Sequence, residues 1–230
     1  DEQMRTSRPD IFAVGDAVEV KDFVTGEWSL VALAGPANRQ GRIAADVIAG
    51  RDARYRGTQG TSVIGLFGAA AAWVGASRKT LERRGDTDFE EIDLFPNSHA
   101  GYYPGAKPIA MKVLFRKSNG LLLGAQALGE DGPAVDKRIS ALAVAIQMRA
   151  TVYDLEEAEL CYAPQFGTAK DPVNIAGMIG ANQLSGDLPA VSWHQTRDAG
   201  ALLVDVREPR EFARGHVEGA INIPLGQLRE

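Results

Sequence analysis

The chain has 230 residues, a net charge of −5 and a sequence pI of about 5.3, so it is long enough to bury one or two cores and lacks the basic excess that nucleic acid demands. A single cysteine, Cys161, excludes an internal disulfide framework and a dithiol redox centre within the chain, and fits a reducing, cytoplasmic setting. No run of about 18 apolar residues and no basic-plus-apolar N-terminal stretch is present, so neither a membrane span nor a secretory leader is expected.

Ile11 to Val14 reads as a short buried strand ending on Gly15-Asp16. An acid at a strand mouth, beside a glycine that lets another group approach the backbone, suits a ribose or ribityl hydroxyl; taken alone, it serves equally well as a cap for the next turn. A polar loop follows to Glu27. Trp28 to Gly50 then reads as a helix approach and helix, with Ile43, Val47 and Ile48 at helical spacing, Pro36 in the first turn and Gly50 placed to end it. Ala34, Gly35 and Ala37 are small enough for a planar ring to come close, and a helix start presents free N–H groups to an anion. Packing of small residues against a neighbour is the plainer alternative.

Thr61 to Gly68 and Ala71 to Gly75 read as a strand and its return, and Arg78 to Gly85 as a short charged helix with a glycine stop. Phe89 to Leu94 alternates apolar with acidic side chains. Ile109 to Phe115 and Leu121 to Leu128 flank Ser118-Asn119-Gly120, a strong hairpin signal. Pro133 to Met148 carries Val135, Ile139, Leu142, Ala143 and Ile146 in an amphipathic pattern, and Thr151 is the candidate cap of another helix. This order predicts an α+β unit, an antiparallel sheet with helices on one face. Leu202 to Arg207 then reads as a short buried strand ending in charge.

Two loops display phenols. His99-Ala100-Gly101-Tyr102-Tyr103-Pro104-Gly105 is a turn rich in glycine and proline, and Cys161-Tyr162-Ala163-Pro164-Gln165-Phe166-Gly167 begins a second. Amphipathic packing at an interface is the plainer use of such tyrosines. Cys161 has no histidine or second cysteine near it in sequence and is expected to be a small buried hydrophobe. His99, His194 and His216 are too scattered for a metal site. Lys170-Asp171 reads as a surface ion pair, and Arg51, Arg54 and Arg56 as a solvated basic loop.

These stretches carry a family resemblance. Thr6-Ser7-Arg8-Pro9-Asp10-Ile11-Phe12-Ala13-Val14-Gly15-Asp16 resembles the second flavin-binding motif of the flavoprotein pyridine nucleotide-disulfide oxidoreductases, and Leu33 to Arg42 follows in that family's order and approximate spacing. The two tyrosine loops resemble those of the coenzyme A disulfide reductases within it. Asp205-Val206-Arg207-Glu208-Pro209-Arg210-Glu211-Phe212, with Gly215-His216-Val217-Glu218-Gly219-Ala220-Ile221-Asn222-Ile223-Pro224, resembles the opening of a rhodanese domain.

The resemblance implies four parts: residues 1–56 as the C-terminal part of an FAD-binding α/β domain, 57–180 as a dimerisation domain, 181–189 as a linker, and 190–230 as the N-terminal part of a truncated rhodanese-like α/β unit. It implies FAD held by Gly15, Asp16, Leu33, Ala34, Gly35 and Pro36, and coenzyme A met by Asn38 and Arg39. It gives Tyr102 and Tyr162 a catalytic role in a homodimer, with Tyr103 as the alternative in the first loop. The implied activity is NAD(P)H-dependent reduction of coenzyme A disulfide, CoA-persulfide or polysulfide. The NAD(P)H-binding domain is not in this chain, so the chain by itself is expected to be inactive. An NAD(P)H oxidase or peroxidase of the same group, and a non-catalytic dimerisation or sulfur-carrier docking module, are the alternatives.

Overall fold

The computed structural model describes residues 1–130, 132–191, 200 and 202–228, and His194 lies outside them. Residues Asp1–Pro189 form one compact unit and Ala190–Glu230 another.

The N-terminal stretch differs from expectation. Ile11–Val14 is not a buried strand: Phe12 makes one antiparallel bridge to Arg5, and Ile11 and Val14 are exposed. A strand needs a ladder of backbone partners, and the described residues supply only the Arg5 side of one. The chain then turns through a short 3-10 helix, Gly15–Ala17, which Gly15 enters at φ +74°. The segments expected as polar loop and helix approach instead form a small hairpin, β1 (Glu19–Lys21) paired with β2 (Trp28–Leu30). Its turn is held by Asp22, whose carboxylate accepts from Val24 N, Thr25 N and the Thr25 hydroxyl. Three-residue strands are too short for alternation to show in sequence.

Helix α1 (Ala34–Ile48) has Pro36 in its first turn and Gly50 beyond its end at φ +80°. Its buried stripe is Pro36, Gln40, Ala44 and Val47, whereas Ile48 is exposed. Gln40 is a buried polar group and needs a partner: its side-chain carbonyl accepts from Gly15 N at 2.7 Å, fastening the 3-10 turn to the helix.

The centre of the first unit is a five-stranded antiparallel sheet of β3 (Ser62–Leu66), β4 (Ala69–Gly75), β5 (Glu90–Leu94), β6 (Ile109–Phe115) and β7 (Leu122–Gly129), in the order β3-β4-β7-β6-β5. One face, with Ala72, Val74, Ile92, Met111, Val113 and Ala125, packs on α3 (Gly132–Gln147), α4 (Val152–Glu156) and α5 (Pro172–Ser185). Val135, Ile139, Leu142, Ala143 and Ile146 of α3 are all buried there, as their spacing requires. Thr151 caps α4 in a reciprocal capping box with Asp154. A short helix, α2 (Arg78–Arg83), is capped by Ser77 and sets Leu81 in a separate cluster with Ala76, Leu114 and Leu123. Helix α5 runs through Ser185 before Gly186 ends it at φ +81°, so the first half of the expected linker is helix.

In the second unit, β8 (Val204–Asp205) pairs in parallel with β9 (Ile221–Asn222), with α6 (Pro209–Phe212) between them. Leu202, Val204 and Val206 are exposed rather than buried, because a two-stranded pair provides no second layer. Local polar contacts shape the segment instead. Asn222 Nδ2 donates to the carbonyls of Asp205 and Arg207, and Arg207 pairs with Asp205 and donates to Gly215 O. His216 stacks on Phe212 at 3.7 Å and bonds its carbonyl.

Candidate active-site loops

The loop before β6 carries Tyr102. Ser98 N donates to Lys107 O, closing the loop base. His99 is buried, with Nδ1 3.1 Å from Ser98 Oγ and Nε2 3.3 Å from Pro104 O. Tyr103 packs its ring edge against His99 at 5.8 Å, while Tyr102 projects outward at 78% exposure.

The loop before α5 carries Tyr162. Its turn is closed by Phe166 N and Gly167 N, both donating to Ala163 O. The two loops are joined at their backbones, because Ala100 N donates to Gly167 O at 2.9 Å and to Pro164 O at 3.3 Å. The phenols of Tyr102 and Tyr162 then stand 2.9 Å apart, oxygen to oxygen. The structure thus brings together two tyrosines sixty positions apart in sequence and leaves Tyr103 as the packing member of the first pair.

A pocket of about 390 Å³ opens beside the pair, lined by His99, Lys137, Cys161, Tyr162, Gln165 and Phe166 among others. Its chemistry follows from the phenols. One of the two hydroxyl protons is used between the rings, and the other remains to be donated to a ligand. The hydrogen bond with Tyr102 holds the Tyr162 phenol above its ordinary range, as expected of a hydroxyl that keeps its proton in that bond.

Two expectations near this site change. Cys161 is exposed beside the pocket, not a buried hydrophobe. Asp171 is not half of a surface ion pair with Lys170: it is buried and paired with the fully buried Arg138 of α3. Arg138 was legible as an anomaly, since it sits at helical spacing among Val135, Ile139 and Leu142 on the apolar stripe. A buried arginine requires an acid, but its partner lies 33 positions away in sequence.

The other candidate residues cluster at the start of α1. Leu33 precedes the helix without a side-chain cap, and Ala34 and Gly35 of its first turn are exposed. Gly15 lies against Ala37, where an added Cβ would come within 3.7 Å of the Ala37 Cβ, and Asp16 is exposed next to it. An exposed carboxylate beside small residues and uncapped N–H groups is a fitting donor set for a polyhydroxylated, anionic cofactor. Pro36 is buried and shapes the turn. Asn38 turns its amide back to Ala34 O at 2.9 Å, and the Arg39 guanidinium lies 5.6 Å from the centre of the Tyr55 ring. Arg51 and Arg54 pair with Asp46 and Asp52, as a solvated basic loop should. Among the described residues there is no cluster of metal-binding groups and no helix long and apolar enough to cross a membrane.

Residues 63–171 match the pyridine nucleotide-disulphide oxidoreductase dimerisation domain, and residues 190–230 match the rhodanese-like domain. The structure of reduced Bacillus anthracis CoADR-RHD aligns with all of this chain and 41% of its own, at 48% identity and a TM-score of 0.94. Residues 63–171 thus carry the dimerisation domain of the pyridine nucleotide-disulphide oxidoreductases. Two further relatives are an NAD-dependent persulfide reductase from A. fulgidus, at 33% identity and a TM-score of 0.90 over all of this chain and 41% of its own, and a Staphylococcus aureus coenzyme A disulfide reductase. The latter is 33% identical over 177 residues, which are 76% of this chain and 39% of that protein. The chain therefore spans about two fifths of the length of these relatives. Its dimerisation domain is the β3–β7 sheet with its helices, and it contains both tyrosine loops through Asp171.

Proposed function

We propose that this chain forms the acceptor side of an FAD-dependent NAD(P)H reductase of coenzyme A disulfide, or of a CoA-persulfide or polysulfide, acting as a cytoplasmic homodimer. The observation that carries this reading is the 2.9 Å contact between the Tyr102 and Tyr162 hydroxyls. Reductive cleavage of a disulfide or persulfide releases a thiolate, and a protonated phenol beside the leaving sulfur hydrogen-bonds it or supplies its proton. The pair suits that task because one hydroxyl proton lies between the rings and orients them, while the other is left for the sulfur.

Bound flavin would supply the two electrons that cleavage takes up. Asp16 would meet its ribityl hydroxyls, Gly15 would let the chain approach, and the Leu33, Ala34, Gly35 and Pro36 turn would lie against its ring. Arg39, with Asn38 beside it, would face coenzyme A, whose phosphates and carbonyls suit a guanidinium. The rhodanese-like segment favours sulfane sulfur as a physiological acceptor. The exposed Val63, Ile64, Leu66 and Phe67 on β3 and its turn give the sheet an apolar surface for self-association.

The test is NAD(P)H oxidation by the full-length enzyme with coenzyme A disulfide, polysulfide and oxygen as separate acceptors. Turnover with the first two is expected to fall in a Tyr102→Phe, Tyr162→Phe double variant while flavin reduction proceeds normally. Fast turnover with oxygen alone would make the enzyme an oxidase and return the phenols to packing.

A further inference from the structure

Helix α3 presents two neighbouring cations to the Tyr162 loop, and both end at Gly167. Lys137 Nζ donates to Phe166 O at 2.8 Å. Arg138 lies flat against Asp171, with Nε 3.3 Å from Oδ1 and Nη2 3.0 Å from Oδ2, and its third donor reaches Ala134 O at 3.1 Å. Asp171 also accepts from Val173 N, so the same carboxylate starts α5. Gly167 is buried between these groups: a Cβ there would lie 3.6 Å from Asp171 Oδ2, 3.7 Å from Arg138 Nη2 and 3.7 Å from Lys137 Nζ. The carbonyl of Gly167 accepts from Ala100 N, two residues before Tyr102.

We propose that Lys137 and Arg138 are positioning residues that fix the Tyr102–Tyr162 pair by clamping the loop at Phe166, Gly167 and Asp171. Both phenols are exposed on loops and, among the described residues, bond to each other, so their separation is set by the loop backbones. Gly167 is the point shared by those backbones and by α3, which is anchored in the sheet core through Val135, Ile139 and Leu142. A helix anchored in the core thus holds two exposed side chains in register. Lys137 also lines the pocket beside Tyr162, with its ammonium turned to the loop carbonyl of Phe166.

This inference rests on the catalytic reading of the tyrosines, and the test separates the two. In the full-length enzyme, Lys137→Met removes the donor to Phe166 O from a partly exposed position that does not threaten folding. NMR of ring-labelled tyrosine, assigned with Tyr162→Phe, reads the Tyr162 titration. The expected result is that the phenol titrates at lower pH in Lys137→Met, because its bond to Tyr102 is loosened, and that the acceptor half-reaction slows roughly tenfold with unchanged flavin reduction. Lys137→Arg keeps a donor and restores both. Arg138→Lys keeps the charge but loses the fork, and shifts both in the same direction as Lys137→Met. An unshifted Tyr162 titration in both Lys137→Met and Arg138→Lys overturns the clamp. A Tyr162→Phe enzyme that turns over normally overturns the catalytic reading instead, and the titration still judges the clamp.

Discussion

The sheet unit and the segment after residue 200 are held together in different ways. Residues 62–185 bury one face of five strands under α3, α4 and α5, and an apolar cluster from Ala70 to Ala176 runs through it. Residues 202–228 contain two strands of two residues each, and Pro224 is their one buried member among the described residues. Their order comes from Asn222 bridging two carbonyls, from the Asp205–Arg207 pair and from the Phe212–His216 stack. The more exact motif thus belongs to the region with less core. Local polar bonds are written by nearby residues, whereas burial needs elements that arrive from far along the chain.

The largest expected effect tests the first half of that contrast. Arg138→Met leaves Asp171 buried and unpaired, and is expected to remove about 3–5 kcal/mol from the Asp1–Pro189 unit by urea denaturation. Hydrogen exchange in residues 202–228 should not change. Gly177→Ala comes next. A Cβ on this α5 residue would lie 2.7 Å from Leu155 C and Val152 O of α4, so the helix pair must separate, at a cost of about 1–3 kcal/mol in the same assay. Asn222→Ala loses both carbonyl bridges, a loss of about 1–2 kcal/mol, and should raise exchange at Ile221 and Ile223 without moving the midpoint of the sheet unit.

The smallest effect is one of pH. The Arg207 hydrogen bond holds the Asp205 carboxyl down to about 2 from its ordinary 3.8. A depressed pKa means that the stabilisation is complete above the ordinary value and is lost as pH falls through the lowered one. The 202–228 segment should therefore loosen between about pH 4 and pH 2, and Arg207→Gln should shrink that acid step by leaving the segment looser already at neutral pH. NMR line widths of Val206 and Ile221 would show it. An unchanged acid profile in Arg207→Gln would mean that the pair does not organise the segment.

Much of this architecture was legible residue by residue. The Asn119-Gly120 turn, the apolar face of α3 and the Thr151 cap each rest on neighbours within one or two turns of chain. Ile11–Val14 and Leu202–Arg207 were misread as buried strands because an apolar run specifies only a wish to pair. Neither finds a ladder on both sides here. Asp171 was misread because its sequence neighbour is Lys170, while its partner Arg138 comes from another element.

The sequence by itself determined the sheet-and-helix order of residues 62–185, the family resemblance and the two loops that carry tyrosines, because each depends on residue types at short, readable spacing. Only the tertiary structure decided which tyrosine of Tyr102-Tyr103 faces Tyr162, that Gly167 joins the two loops, and that α3 holds them both. Those facts depend on backbone groups and charges brought together across tens of residues, and a hydrogen bond between distant carbonyls and amides leaves no mark on side-chain pattern.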